Sequence, residues 1–341
     1  MAYNKIVLKG QTLIDLTSDT VTPDTLAVGA TAHDKTGAPI VGTMSGGGGA
    51  STKYGATVDT FLGDVDASGV LQIPTAQTDL VFDGVTDLAN FALQYKFYNN
   101  PTISSASFPQ LVQMSGGSAF DHCFYDTPIE NISFPVLQSV TGYRGFYNAF
   151  VDSSIQSVSF PALATVSGSN GFYNAFSDCR KITSASFPVL EEVTGDTAFG
   201  YCFYNCSALT SVSFPKLNKI GSDTATSSNY LHFGNAFYGT KVTSLEFPEL
   251  TAIYCTGSSQ YNGTFYYNGS IQKMYFPKLT VIDKSPAYTS TSTSHNYIFS
   301  RCNSLTELHF GAANQAAIEA TEGYPTLWGR GAGNATVYFD L

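Results

Sequence analysis

The chain predicts a mainly β solenoid, and three observations carry that expectation. The pair Phe-Pro recurs at Phe108-Pro109, Phe134-Pro135, Phe160-Pro161, Phe187-Pro188, Phe214-Pro215, Phe247-Pro248 and Phe276-Pro277, at intervals of 26, 26, 27, 27, 33 and 29 residues. That is self-similarity at the period of a stacked repeat architecture. Each pair closes a short alternating stretch and is followed by two apolar residues at i and i+3 spacing, as one inward turn requires. Finally, 14% of residues are aromatic and only 12% charged, a balance that suits a dry stacked core beneath an uncharged polar exterior.

The unit reads most clearly from Leu209. Leu209, Val212 and Phe214 make one short strand whose alternate residues, Ser211 and Ser213, face outward. Pro215 ends the ladder because it has no backbone donor. Leu217 and Ile220 follow inward, a polar loop leads to the aromatic group around Phe233 and Phe237, and the next strand begins at Val242. The same slots hold Ile129, Ile132, Phe134, Leu137 and Val140; then Ile155, Val158, Phe160, Leu163 and Val166; then Ile182, Ala185, Phe187, Leu190 and Val193. Units of about 26–34 residues with one short strand each are expected, and each holds apolar groups that only its neighbours can cover.

The ends should differ from the middle. Leu80 and Phe82 lie one period before Ala106 and Phe108, which marks a degenerate first rung. Leu305, Leu308 and Phe310 form the last full strand, with Gly311 in the place of proline. Residues 312–320 read as a short helix and 335–339 as a closing strand, with Tyr324 and Trp328 packing in that cap. Upstream, Thr22-Pro23-Asp24 reads as a helix start and residues 33–37 as a turn before an apolar segment at 39–41. The resulting division is an N-terminal module at 1–45, a Gly-rich linker at 46–53, a cap with the first rung at 54–82, the solenoid at 83–311 and a C-terminal cap at 312–341. The linker glycines are not a phosphate loop, since the Gly-Lys-Ser/Thr ending is absent.

The net charge of -10 comes with 16 basic residues in no cluster, which excludes nucleic acid as a partner. The opening apolar run covers only residues 6–8, so no secretory leader or membrane insertion is expected, and glycosylation at Asn131, Asn205, Asn262, Asn268 or Asn334 is given no weight. Repeat alignment puts Cys179, Cys206 and Cys302 on one position, and Cys123 and Cys202 where other units carry Ala149 and Ala175. With Cys255 they read as small buried thiols rather than a metal or disulfide set. The histidines His33, His122, His232, His295 and His309 form no metal or acid/base pattern, so neither catalysis nor a cofactor is expected.

Binding is expected where the repeat becomes irregular. The outward residue before the strand's last Phe runs Ser107, Ser133, Ser159, Ser186, Ser213, then changes to Glu246, Tyr275 and His309. The companion row ends Ser244, Lys273, Glu307. Longer loops enter the same late units and carry Tyr230, His232, Tyr254, Tyr261, Tyr288, His295 and Tyr297. Tyr with Ser, Gly and Asn suits recognition, because the ring gives wide contact at low entropy cost and the small polar residues adapt their hydrogen bonds. The ligand class this suggests is a surface glycan or a protein receptor.

The strand plus Pro-x-Leu-x-x-Val followed by Ala-Phe-x-x-Cys resembles the BspA-type leucine-rich repeat family of bacterial and phage surface proteins, over roughly residues 76–315, with loops longer than the usual unit. A second segment, residues 13–22 continuing through Ala32-His33-Asp34-Lys35-Thr36-Gly37 to Val41-Gly42-Thr43-Met44, resembles the front ends of phage and prophage tail-fibre or baseplate proteins. This second likeness implies that residues 1–45 attach to other tail or baseplate proteins as a homo-oligomer, and that the protein is a virion part assembled in the host cytoplasm. The expected function is therefore non-enzymatic: a phage tail-associated receptor-binding protein. A bacterial cell-surface adhesin and a purely structural fibre or decoration protein stand as alternatives.

Overall fold

The computed structural model describes the strands Lys5–Leu8, Gln11–Asp15, Thr31–His33, Pro39–Val41 and Ser51–Tyr54, and residues 79–82, 84–224, 231–254, 263–283, 298–321, 324 and 335–341. The first four strands form two antiparallel pairs, Lys5–Leu8 with Gln11–Asp15 and Thr31–His33 with Pro39–Val41. The second pair flanks the expected turn, whereas the helix start at Thr22 and the side chain of Trp328 lie outside the described residues. Ser51–Tyr54 pairs in parallel with Asp79–Phe82, so the ladder begins inside the stretch expected to be linker.

Beyond that point the chain is a mainly β solenoid. Asp79–Phe82, Ser105–Ser107 and Asn131–Ser133 stack in parallel register, Leu80 over Ala106 over Ile132, with Ser51–Tyr54 ahead of them in the same ladder. Ser157–Ser159, Ser184–Ser186 and Ser211–Ser213 form a second group, and Ser244–Glu246, Lys273–Phe276, Glu307–Phe310 and Thr336–Phe339 a third. These strands make up the first wall. Where rungs are paired, the amide after the strand still donates to the next rung, as from Phe160 to Ser186 O at 3.1 Å and from Phe187 to Ser213 O at 3.1 Å, and the strand ends there. Proline follows with nothing to donate.

Each turn also carries a second short strand, where the repeat pattern led us to expect one. Gln113–Met114, Ser139–Val140, Thr165–Val166, Glu192–Val193, Lys219–Ile220, Ala252–Tyr254 and Val281–Asp283 form one continuous parallel sheet of seven strands. Most are two residues long, too short to leave an alternation in the sequence. At the corner that follows, Gly142, Gly168 and Gly195 each rest on the glycine of the rung before. A Cβ on any of them would lie 2.2 Å from that neighbour's carbonyl oxygen.

The third wall is built of turns bonded as regularly as a sheet. Arg144, Phe146, Asn148, Phe150 and Asp152 donate their amides to the carbonyls of Ser169, Gly171, Tyr173, Ala175 and Ser177 at 2.7–3.0 Å. Every fourth residue takes a left-handed backbone: Arg144, Asn148 and Asp152 at φ 56°, 50° and 55°, then Asn170, Asn174 and Asp178 at 57°, 56° and 58°. Asn and Asp tolerate this region best. The alternation sends Phe146 and Phe150 inward while Tyr147 and Asn148 stay at the surface.

Inside, phenylalanines form columns. Phe108, Phe134, Phe160, Phe187, Phe214, Phe247, Phe276, Phe310 and Phe339 follow one another at 5.1–5.9 Å between ring centroids. A second column, including Phe172 and Phe199, meets the first edge-on, as at Phe160–Phe172 with 5.1 Å and 86°. Both geometries are favoured by the ring quadrupole. The described cysteines are free and buried. Cys179 Sγ donates to Phe150 O at 2.9 Å and Cys302 Sγ to Phe265 O at 2.9 Å, and burial pushes both thiols up to about 12. Thr240 holds the equivalent position but donates within its own rung, to Phe237 O at 2.8 Å, which also accepts from Ser270 Oγ of the next rung at 2.7 Å. The position wants a small buried donor; Cys255 lies outside the described residues.

The C-terminal cap holds a 3-10 turn Ala312–Asn314, a short helix Gln315–Glu319 with Ile318 buried, Tyr324 packed on the core, and the closing strand Thr336–Phe339. Gly311 stands where other units have proline because its Cβ would meet Pro277 O at 2.1 Å.

Candidate functional site

Parallel register within each strand group of the first wall, and the repeat across the two breaks between groups, line the outward residues up in columns. One runs Ser107, Ser133, Ser159, Ser186, Ser213, Glu246, Tyr275, His309 and Tyr338; the other runs Ser105, Asn131, Ser157, Ser184, Ser211, Ser244, Lys273, Glu307 and Thr336. The early rungs are a hydroxyl face with a single amide, Asn131. The last four bring together three of the residues singled out from sequence, Glu246, Tyr275 and His309.

His309 sits between two phenol rings, 4.7 Å from Tyr275 at 17° and 4.7 Å from Tyr338 at 12°. Its Nε2 lies 3.1 Å from Glu307 Oε2 and its Nδ1 2.9 Å from Asp340 Oδ1. Lys273 Nζ reaches Glu307 Oε2 at 2.9 Å. The hydrogen bonds from Lys273 and from His309 hold the Glu307 carboxyl below its usual range, and the same carboxylate raises Lys273. This end of the wall therefore presents stacked rings bordered by a charged network on a backbone that strand pairing fixes.

Tyr338 and Asp340 were missed in the sequence, although the signal exists: Thr336-Val337-Tyr338-Phe339 repeats the pattern of Glu307-Leu308-His309-Phe310. Tyr254 was expected in an inserted loop and instead ends a strand of the second sheet, where Lys219 Nζ lies 5.6 Å from its ring centre. His232 is a correction. It is fully buried, its Nδ1 is 3.0 Å from Gly195 O, and burial lowers its pKa to about 4, so it is a neutral interior group that a ligand does not touch. Tyr230, Tyr261, Tyr288, His295 and Tyr297 lie outside the described residues.

Beside Glu246 the first wall opens. No ladder joins Ser211–Ser213 to Ser244–Glu246, and a groove of about 250 Å³ lies there, lined by residues 210–215 with Ser244, Glu246 and Pro248. On the turn wall a further set of rings was not anticipated. Tyr147 stacks on Tyr173 at 5.2 Å and Tyr204 on Tyr238 on Tyr267 at 5.1 and 5.0 Å. Their faces cover one another, so they offer edges and hydroxyls outward. Among the described residues no group of three His, Cys, Asp or Glu could hold a metal ion, and no helix is long and apolar enough to cross a membrane.

The repeat matches a family model, the BspA type leucine rich repeat region, in six copies over residues 121–235 and 201–320. The chain belongs to that family. Solved structures similar to this BspA-type protein include a leucine-rich repeat protein from Bacteroides ovatus, 17% identical over 92% of this chain and 68% of that one, TM-score 0.38. A leucine rich cell surface protein from Faecalibacterium prausnitzii is 12% identical over 91% and 90%, TM-score 0.24. The pneumococcal vaccine antigen PcpA is 12% identical over 99% and 88%, TM-score 0.27. No curated protein matches the BspA-type chain.

Proposed function

We propose that this protein is a non-catalytic recognition protein whose first wall, over its last four rungs, meets a receptor on the bacterial surface. The observation that carries this reading is the change along one column from serine to Glu246, Tyr275, His309 and Tyr338, with Lys273, Glu307 and Asp340 beside them. A wall that served only to stack would have no use for such diversification, because the buried columns continue unchanged beneath it. Exposed aromatic and charged groups on a rigid support are what specific contact requires.

Two mountings fit this surface. The resemblance of residues 13–44 to tail-fibre and baseplate front ends supports attachment of a homo-oligomer to a phage tail through residues 1–45. Membership of the BspA-type family supports an adhesin on a bacterial surface instead. Fluorescently labelled full-length protein titrated onto bacterial cells should bind saturably and be displaced by unlabelled protein; absence of displaceable binding would overturn recognition. Immunogold labelling then decides the mounting, with grains on virion tails for the first and on the envelopes of uninfected cells for the second.

A further inference from the structure

The first wall is interrupted at two junctions, and only one of them has the chemistry of a site. The amides of Phe108, Phe160, Phe187 and Phe247 each donate to the next rung, and the interruptions fall where the equivalent bonds from Phe134 and Phe214 are not made. In a parallel ladder a residue turns both its N–H and its C=O to one side. Ser213 O accepts from Phe187, so it faces the preceding rung, and Val212 therefore turns both backbone groups toward the gap. The core-facing side chain is uncovered as well: Val212 is partly exposed, whereas Ala185 and Leu245, its counterparts in the flanking rungs, are sealed.

The gap before Ser157–Ser159 is bordered outward by Asn131, Ser133, Ser157 and Ser159. The gap after Ser211–Ser213 is bordered by Ser211, Ser213, Ser244 and the carboxylate of Glu246. Neighbouring acids are neutralised, Glu249 by Lys278 at 2.7 Å and Glu307 by Lys273 at 2.9 Å. Glu246 is exposed, and among the described residues no cation lies at ion-pair distance from it. Pro215 and Pro248 give apolar sides and Val212 an apolar floor.

We propose that this groove docks a basic peptide segment of a protein receptor, an extended stretch whose arginine or lysine stem lies over Val212 between the prolines and whose cationic head meets Glu246. The proposal rests on the recognition reading above and names its partner. Long basic side chains bury their methylenes on apolar surface while the head seeks a carboxylate, and an extended peptide backbone can meet the amide and carbonyl that Val212 leaves facing the gap. The volume of about 250 Å³ accommodates one long side chain rather than a folded element. The net charge of -10 draws a basic segment in. A saccharide is the less favoured occupant, since the aromatic residue in the lining, Phe214, is buried in the core and leaves no ring face for a sugar to stack on.

The test uses the full chain and fluorescence anisotropy with labelled acetyl-Gly-Ala-Arg-Ala-Gly-amide, the same peptide with norleucine for arginine, and glucosamine and N-acetylglucosamine as competitors. The arginine peptide should bind at least tenfold more tightly than the norleucine one. Glu246→Gln, an exposed isosteric change, should weaken it about tenfold, and Glu130→Gln should leave it unchanged. Equal affinity for the two peptides, no effect of Glu246→Gln, or displacement by N-acetylglucosamine would overturn the proposal, the last in favour of a sugar. The assay needs no cells. Intact peptide binding without cell binding counts against the recognition reading, and cell binding that Glu246→Gln leaves untouched counts against the groove.

Discussion

Replacing Gly168 by Ala reverses the effect such a change normally has. Away from positive φ, Gly→Ala usually stabilises by about 0.4–1 kcal/mol, because the unfolded chain loses freedom. Here the added Cβ would lie 2.2 Å from Gly142 O, an atom of the backbone that cannot swing aside. The corner that would have to retreat is tied down, since Ser167 N and Gly168 N both donate to Val140 O at 3.0 and 3.1 Å. Forcing a methyl into a packed site costs roughly 1–3 kcal/mol, and stretching two backbone bonds adds about 1 kcal/mol. Against the gain from the unfolded state, a net loss of about 1–3.5 kcal/mol is expected, read as a lowered urea midpoint by far-UV circular dichroism. The internal control is Gly117→Ala, whose nearest atoms stand 3.6 Å away and which should be neutral or slightly stabilising. If Gly168→Ala unfolds at or above the wild-type midpoint, the rungs are not in the close register described.

Three further expectations follow from the core. Phe160→Ala, which removes a ring packed between Phe134, Phe187 and Phe172, should cost about 4 kcal/mol, while Phe91→Ala at an exposed position should stay within about 1 kcal/mol. The described thiols, pushed up by burial to about 12 at Cys179 and Cys302, should resist a thiol reagent at pH 8 in the native protein and react on unfolding; reaction at native rates like free cysteine would contradict their placement. His232, with a folded pKa of about 4 against 6.5 unfolded, makes the unfolded state bind more protons between those values, so its contribution is present above pH 6.5 and is lost as pH falls toward 4. Its share is about 3 kcal/mol, and a urea-midpoint series from pH 7 to 4.5 should show a drop that His232→Phe flattens.

Much of this architecture was legible because stacking forces the same large residue into the same slot. Phe160, Leu163 and Val166 announce their column wherever the unit recurs. The second sheet was not legible, since a pair such as Ser139–Val140 is too short to show a period. Nor was the turn wall: Asn148 and Asp152 carry the usual left-handed preference, but Phe91, Tyr95 and Thr197 adopt the same backbone at φ 60°, 56° and 54° with no such preference to reveal it. There the hydrogen bonds to the next rung decide the conformation. His232 was misjudged for lack of column reading. It precedes Phe233 as Ala119 precedes Phe120 and Ala198 precedes Phe199, and those positions all point inward. In the site, Glu246, Tyr275 and His309 were readable as a change in a repeated slot. Tyr338 and Asp340 were hidden by a closing strand that has no Phe-Pro signature.

The recognition account is tested most directly by extending the serine column to the end of the first wall. A variant with Glu246→Ser, Tyr275→Ser, His309→Ser and Tyr338→Ser keeps every buried column and should retain its solenoid circular dichroism spectrum. Displaceable binding to bacterial cells should fall to background in this variant. Cell binding at wild-type strength by the folded variant would contradict it.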